Sequence, residues 1–102
     1  MERPKIPESK VREFCKKWNI REFYIFGSYL SDNFSDESDI DIVVYFNPGD
    51  EPSLITFIKI EEEIEEILGR KVDLITKNAL ISGRNQIIKD SILNSMVPVY
   101  VT

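Results

Sequence analysis

At 102 residues, with 42% apolar and 30% charged side chains, the chain can form one ordinary soluble domain over 1–102 and is not a disordered segment. A net charge of −5, from 13 basic and 18 acidic residues, excludes the concentrated basic face that independent binding to a nucleic-acid backbone needs. Cys15 is the single cysteine and histidine is absent, so an internal disulfide, a Cys–His pair and a histidine general base are excluded together.

Pro7-Glu8-Ser9 introduces a helix to about Trp18, with Val11, Phe14, Cys15 and Trp18 on one apolar stripe. On that stripe Cys15 reads as a small packed residue and Trp18 as core or inter-element packing. A first strand is expected over Glu22–Phe26, then a turn at Gly27-Ser28 and a short helix near Tyr29–Asn33. Ser35-Asp36-Glu37-Ser38 reads as a polar loop. The second strand covers about Asp39–Phe46 and ends at the turn Asn47-Pro48-Gly49-Asp50. A long helix follows from about Pro52 to Leu68, with Gly69 as its C-cap and Phe57, Ile60, Ile64, Ile67 and Leu68 as its buried stripe. The glutamates 61, 62, 63, 65 and 66 fall on its other faces and read first as solvated surface, with a docking face for a basic partner as the sharper alternative. A third strand over Val72–Ile75 leads to a polar corner at Thr76-Lys77-Asn78. The last helix spans about Arg84–Ser95, burying Ile87, Ile88, Ile92 and Met96. Val97–Val101 is extended, and as an edge strand it tolerates Pro98. These elements predict an α/β fold, a small mixed sheet with helices mainly on one face. No apolar run approaches 18 residues and no secretory segment follows Met1, so the expectation is a cytoplasmic protein with no membrane association.

The chemistry concentrates in two places. Gly27 leaves a strand, where it permits a tight turn and close backbone approach, and Ser28 is suited to cap the short helix that follows. Such a turn offers backbone N–H groups to phosphate. After a ten-residue spacer comes Asp39-Ile40-Asp41. Side chains alternate along a strand, so the two carboxylates share a face, with α-carbons roughly 6–7 Å apart, while Ile40 and Ile42 point into the core. Two like charges on one face call for a cation, and Mg2+ is held by one or two carboxylates plus substrate phosphates. A Ca2+ loop counted from Asp36 would need Gly and Glu where Asp41 and Asn47 stand, so that reading is discarded.

Gly27-Ser28, the ten-residue spacer and Asp39-x-Asp41 resemble the signature of the DNA polymerase beta-like nucleotidyltransferases, above all their shortest branch, the minimal nucleotidyltransferases (MNT domains). The resemblance spans nearly the whole chain and implies that superfamily's palm-like fold. It also implies a third metal-binding carboxylate on a later strand, for which Asp73 in Lys71-Val72-Asp73-Leu74-Ile75 is the candidate. By the same resemblance Asp39, Asp41 and Asp73 are catalytic and hold two Mg2+ ions, while Gly27 and Ser28 contact the phosphates of ATP. Many members continue the turn as Gly-Ser-x-Ala-Arg-Gly. Here Ser31 stands for that Arg and Asp32 for the second Gly, leaving Arg21, Lys71 and Arg84 as cations that could compensate.

Minimal nucleotidyltransferases are commonly paired with a helical HEPN-domain toxin, for which they act as antitoxin. The resemblance therefore implies transfer of AMP from ATP to a hydroxyl, most simply a tyrosine, of such a partner. The small acidic chain, with no room for a nucleic-acid-binding domain, fits a protein acceptor. The competing expectation is an antitoxin that neutralises its partner by binding alone, which the missing turn Arg favours and the three acids oppose.

Overall fold

The computed structural model describes residues 6–30, 39–83 and 86–102, and of 28, 30 and 86–88 the backbone alone. The turn residues Ser31 and Asp32, the polar loop Ser35–Ser38 and the basic candidate Arg84 lie outside the described residues, as do the side chains of Ile87 and Ile88. Chain order is α1 (Glu8–Lys17), β1 (Ile20–Phe26), a 3-10 turn (Gly27–Leu30), β2 (Ile40–Phe46), α2 (Leu54–Leu68), β3 (Val72–Thr76), α3 (Lys77–Ile81), α4 (Gln86–Ser95) and β4 (Val97–Val101).

The strands pair into one sheet in the order β3-β2-β1-β4. β1 is antiparallel to both β2 and β4, whereas β2 and β3 run parallel across the α2 connection, so the sheet is mixed as expected. Alternation along β2 sorts its residues. Ile40, Ile42, Val44 and Phe46 join Val11, Phe14, Cys15, Phe23, Ile60 and Ile64 in the main core under α1 and α2. Phe14 and Phe23 meet edge to face in it, ring centroids 6.4 Å apart. The opposite face carries a smaller cluster of Phe26, Val43 and Leu80, against which Ile92 and Met96 pack. Cys15 is fully buried, and burial pushes its thiol up to about 12, which fits packing and not nucleophilic chemistry.

Several boundaries shift for local reasons. β1 begins two residues before the expected start, because Asn19 takes a left-handed φ of 57° and its carbonyl accepts from the Asn47 N–H at 3.0 Å. α2 begins at Leu54, since the Ser53 side chain caps it by accepting the Thr56 N–H, and it ends at Gly69 with φ 69° as expected. The corner expected at Thr76–Asn78 is the start of a short helix, α3, whose N-cap Thr76 accepts the Ala79 N–H at 3.0 Å. The acidic run on α2 is not wholly solvated. Glu63 accepts from Lys17 at 2.6 Å and from the Trp18 indole at 3.0 Å, clamping α1 to α2. Burial raises the Glu63 carboxyl, but these hydrogen bonds and the Lys17 charge outweigh it and hold it below the ordinary range. Glu65 accepts the Val72 N–H at 3.0 Å and so fastens α2 to the start of β3. No helix among the described residues is long and apolar enough to cross a membrane.

Candidate active site

β1 delivers the chain to Gly27, where φ is +72°, a conformation that glycine adopts freely and other residues do not. Phe26, just before it, is the register partner of Asp41 on β2. The turn therefore closes directly over that acid. A Cβ built on Gly27 would collide with Asp41 Oδ2 and lie 3.1 Å from Asp41 Cγ. Glycine is required here twice, by the backbone angle and by the carboxylate.

Asp41 is half-buried, and its partner across the parallel β2–β3 pair is Asp73. Neighbouring strands lie about 4.8 Å apart, and paired residues project from the same face. Asp39 sits one residue before β2, exposed, two positions back from Asp41 and so on that face as well. The Ile40 N–H donates to the Lys71 carbonyl at 3.0 Å, which holds the two strand starts together beside all three acids. The fold thus gathers Asp39, Asp41 and Asp73 at one end of the sheet, on the face away from the main core. Asp39 stands just outside the strand that was expected to contain it.

Among the described residues, no three His, Cys, Asp or Glu side chains converge tightly enough to cage a metal ion. A Mg2+ site does not require that. The ion keeps several waters and takes only one or two carboxylates alongside substrate phosphates. Hard oxygen donors on one face, with Gly27 leaving room against Asp41, fit such an ion in donor type and placement.

Of the cations suited to replace the missing turn Arg, Lys71 lies at the acid end, immediately before β3. Arg21 lies at the opposite end of β1 from Gly27, six residues or roughly 20 Å away along the strand, and the structure removes it from consideration. Ser28 sits within the 3-10 turn that follows β1.

The acid-bearing face also carries a network that sequence reading missed. The Tyr24 hydroxyl donates to Glu22 Oε1 at 2.5 Å, Lys77 Nζ donates to the same oxygen at 3.1 Å, and Lys77 lies 5.5 Å from the centre of the Tyr45 ring. Burial raises the Glu22 carboxyl, but the bonds from Tyr24 and Lys77, with the charges of Lys77 and Arg21, hold it below the ordinary range. The hydrogen bond to Glu22, aided by burial, pushes the Tyr24 phenol up to about 12. Its members come from β1, β2 and α3, so no local spacing signals it.

The family model described as the nucleotidyltransferase domain matches residues 8–98. The protein adenylyltransferase MntA of Thermococcus cleftensis is 42% identical over 72 residues, spanning 71% of this chain and 71% of that one. A Methanocaldococcus jannaschii protein named as a candidate protein adenylyltransferase is 37% identical over 90 residues, spanning 88% of this chain and 90% of its own. Among solved structures, a toxin–antitoxin structure with AMP-PNP superposes with a TM-score of 0.71 at 22% identity, over 94% of this chain and 74% of that chain. A complex of tri-AMPylated Shewanella oneidensis HEPN toxin with an MNT antitoxin gives 0.64 at 22% identity, over 93% and 70%. At these identities the structural likeness establishes the fold alone.

Proposed function

Because the chain belongs to the nucleotidyltransferase domain family of enzymes, we propose that it moves AMP from ATP onto a tyrosine hydroxyl of a HEPN-type toxin and so acts as that toxin's antitoxin. The observation that carries this reading is Gly27 closed over Asp41, with Asp73 as the register partner of that acid. Relatives named as protein adenylyltransferases and a shared fold with toxin–antitoxin complexes support the choice of nucleotide and acceptor.

In this reading residues 1–102 act as one catalytic domain in the cytoplasm, without binding nucleic acid independently. Asp39 and Asp41 would hold one Mg2+ ion, and Asp41 with Asp73 would hold a second. When bound, the pair of ions neutralises charge on the attacking and leaving oxygens and lowers the pKa of the hydroxyl. Gly27 and Ser28 present backbone to the β- and γ-phosphates, which a side chain at 27 would obstruct. The phenolic oxygen attacks the α-phosphorus, the bond to the β-phosphate oxygen breaks, and pyrophosphate leaves. With no histidine in the chain, the phenolic proton passes to a carboxylate of this set or to water. Positioning and charge neutralisation supply most of the acceleration.

Intact-mass measurement of the partner after incubation with the chain, ATP and Mg2+ tests this. The expected result is an added AMP on a tyrosine that is lost with Asp41→Asn or Asp73→Asn. Inhibition of an unmodified partner by the Asp39→Asn/Asp41→Asn variant would establish neutralisation by binding instead, the reading that Ser31 in place of the family Arg favours.

A further inference from the structure

The first two turns of α2 leave Leu54, Ile55 and Ile58 exposed at 75%, 71% and 48%, three of the six large apolar side chains that stand exposed among the described residues. Helix packing does not account for them, since Phe57, Ile60 and Ile64 already supply the stripe that faces the core. Of the three, Leu54 lines a cavity of about 460 Å3 at the far ends of β2 and β3, walled also by Phe46, Pro52, Phe57, Leu74 and Ile75, with exposed Glu51 in its lining. Along the outer face of α2, the residues Ile55, Ile58, Glu62 and Glu66 follow one another at steps of three and four. One exposed stripe is therefore apolar at its first end and acidic at its last. It runs for roughly 16 Å, about three helical turns.

We propose that this stripe and the adjoining cavity seat a helix of the partner toxin, one whose apolar ridge lies over Ile55 and Ile58 and whose Lys or Arg residues lie over Glu62 and Glu66. The proposal rests on the toxin-partner reading above, not on the transfer chemistry. Charge complementarity selects the occupant. Glu62 and Glu66, exposed in a groove that Arg70 and Lys71 also line, favour basic side chains opposite them, whereas a second copy of this chain, itself at −5, would bring acid to acid or carboxylate to isoleucine. Lys59 is the one basic side chain of α2, and Glu51 adds a further acid at the cavity. Val44, the cavity's nearest β2 residue to Asp41, lies three residues from it, roughly 10 Å, and Val44 and Leu74 face the main core, so a partner held there sits on the side of the sheet away from the acids. The surface is a positioning device for the acceptor protein.

The test titrates a HEPN-type toxin that forms a complex with the chain against wild type, Ile55→Asp/Ile58→Asp and Glu62→Lys/Glu66→Lys, by calorimetry and by transfer kinetics. Each pair is expected to weaken the complex at least about tenfold and to raise KM for the partner, with kcat at saturating partner, ATP affinity and thermal melting unchanged. Wild-type affinity in the Ile55→Asp/Ile58→Asp variant would overturn the proposal. So would a chain that sediments alone as a dimer and becomes monomeric in that variant, because the face would then belong to a second copy. Binding that responds to the variants without any AMP transfer would leave this surface standing and remove the chemistry. Transfer with variant-insensitive affinity would do the reverse, and failure of any complex to form removes both.

Discussion

Gly27 and Asp41 act as one unit, and that makes a double-mutant cycle the informative experiment. Gly27→Ala places a Cβ on the Asp41 carboxylate and also forces an alanine to φ +72°, the second effect alone costing about 1–2 kcal/mol. In an Asp41→Ala background the collision is gone and only the backbone strain remains. Urea denaturation is expected to show a smaller loss for Gly27→Ala in that background than in wild type, and additive losses would mean the two residues do not touch in solution. Both residues were legible in the sequence, because a Gly-Ser pair and a spaced Asp-x-Asp are rare enough as types to stand out. Their contact was not. It depends on the β1–β2 register, which pairs Phe26 with Asp41, and no spacing in the chain states a register.

At the scale of elements, the unexpected piece is α3. Five residues are too few for a helical period to declare itself, and Thr76-Lys77-Asn78 carries the composition of a corner; the Thr76 side chain instead caps a helix. Lys77, its first residue, then pairs with Glu22 and ties α3 to β1 across the sheet face. Tyr24 completes that link, and its titration gives a signed prediction. A phenol raised from 10.0 to about 12 in the folded state loses its proton later than in the unfolded chain. Its contribution is fully present below pH 10 and disappears as pH rises from there to about 12. Stability measured across that window is expected to fall in wild type and to fall less in Tyr24→Phe; equal slopes would show that the Tyr24–Glu22 bond contributes nothing. The long elements were read nearly to their ends because α1 and α2 carry unbroken apolar stripes and β2 alternates cleanly. The residual error sits where a side chain fixes the boundary, as Ser53 and Thr76 do.

Taken whole, the molecule separates its packing from the acids proposed to react. The main core lies on one face of the sheet, under α1 and α2, and the three acids lie on the other. Charge at the site can therefore change without disturbing the packing that keeps the chain folded. Chelation with EDTA is expected to abolish AMP transfer and to reduce stability only by the free energy that Mg2+ binding had added, RT ln(1 + [L]/Kd), with the correspondingly small fall in Tm. Cooperative unfolding on chelation would instead make the metal a structural part. Mixed topology was legible because a parallel β2–β3 pair needs a long connection and Pro52–Leu68 was long enough to be one. The two-sided use of the sheet was less so, since residues on α3 and α4 complete the second cluster from far along the chain. The closure of Gly27 over Asp41 also bears on how such chains change through descent. While the acid is present, almost any substitution at 27 is penalised twice; once the acid is lost, one of the two penalties lifts. A lineage that abandons catalysis and keeps only binding should therefore shed the aspartate first and the glycine afterwards, so that a side chain at 27 marks a copy whose position 41 has already changed.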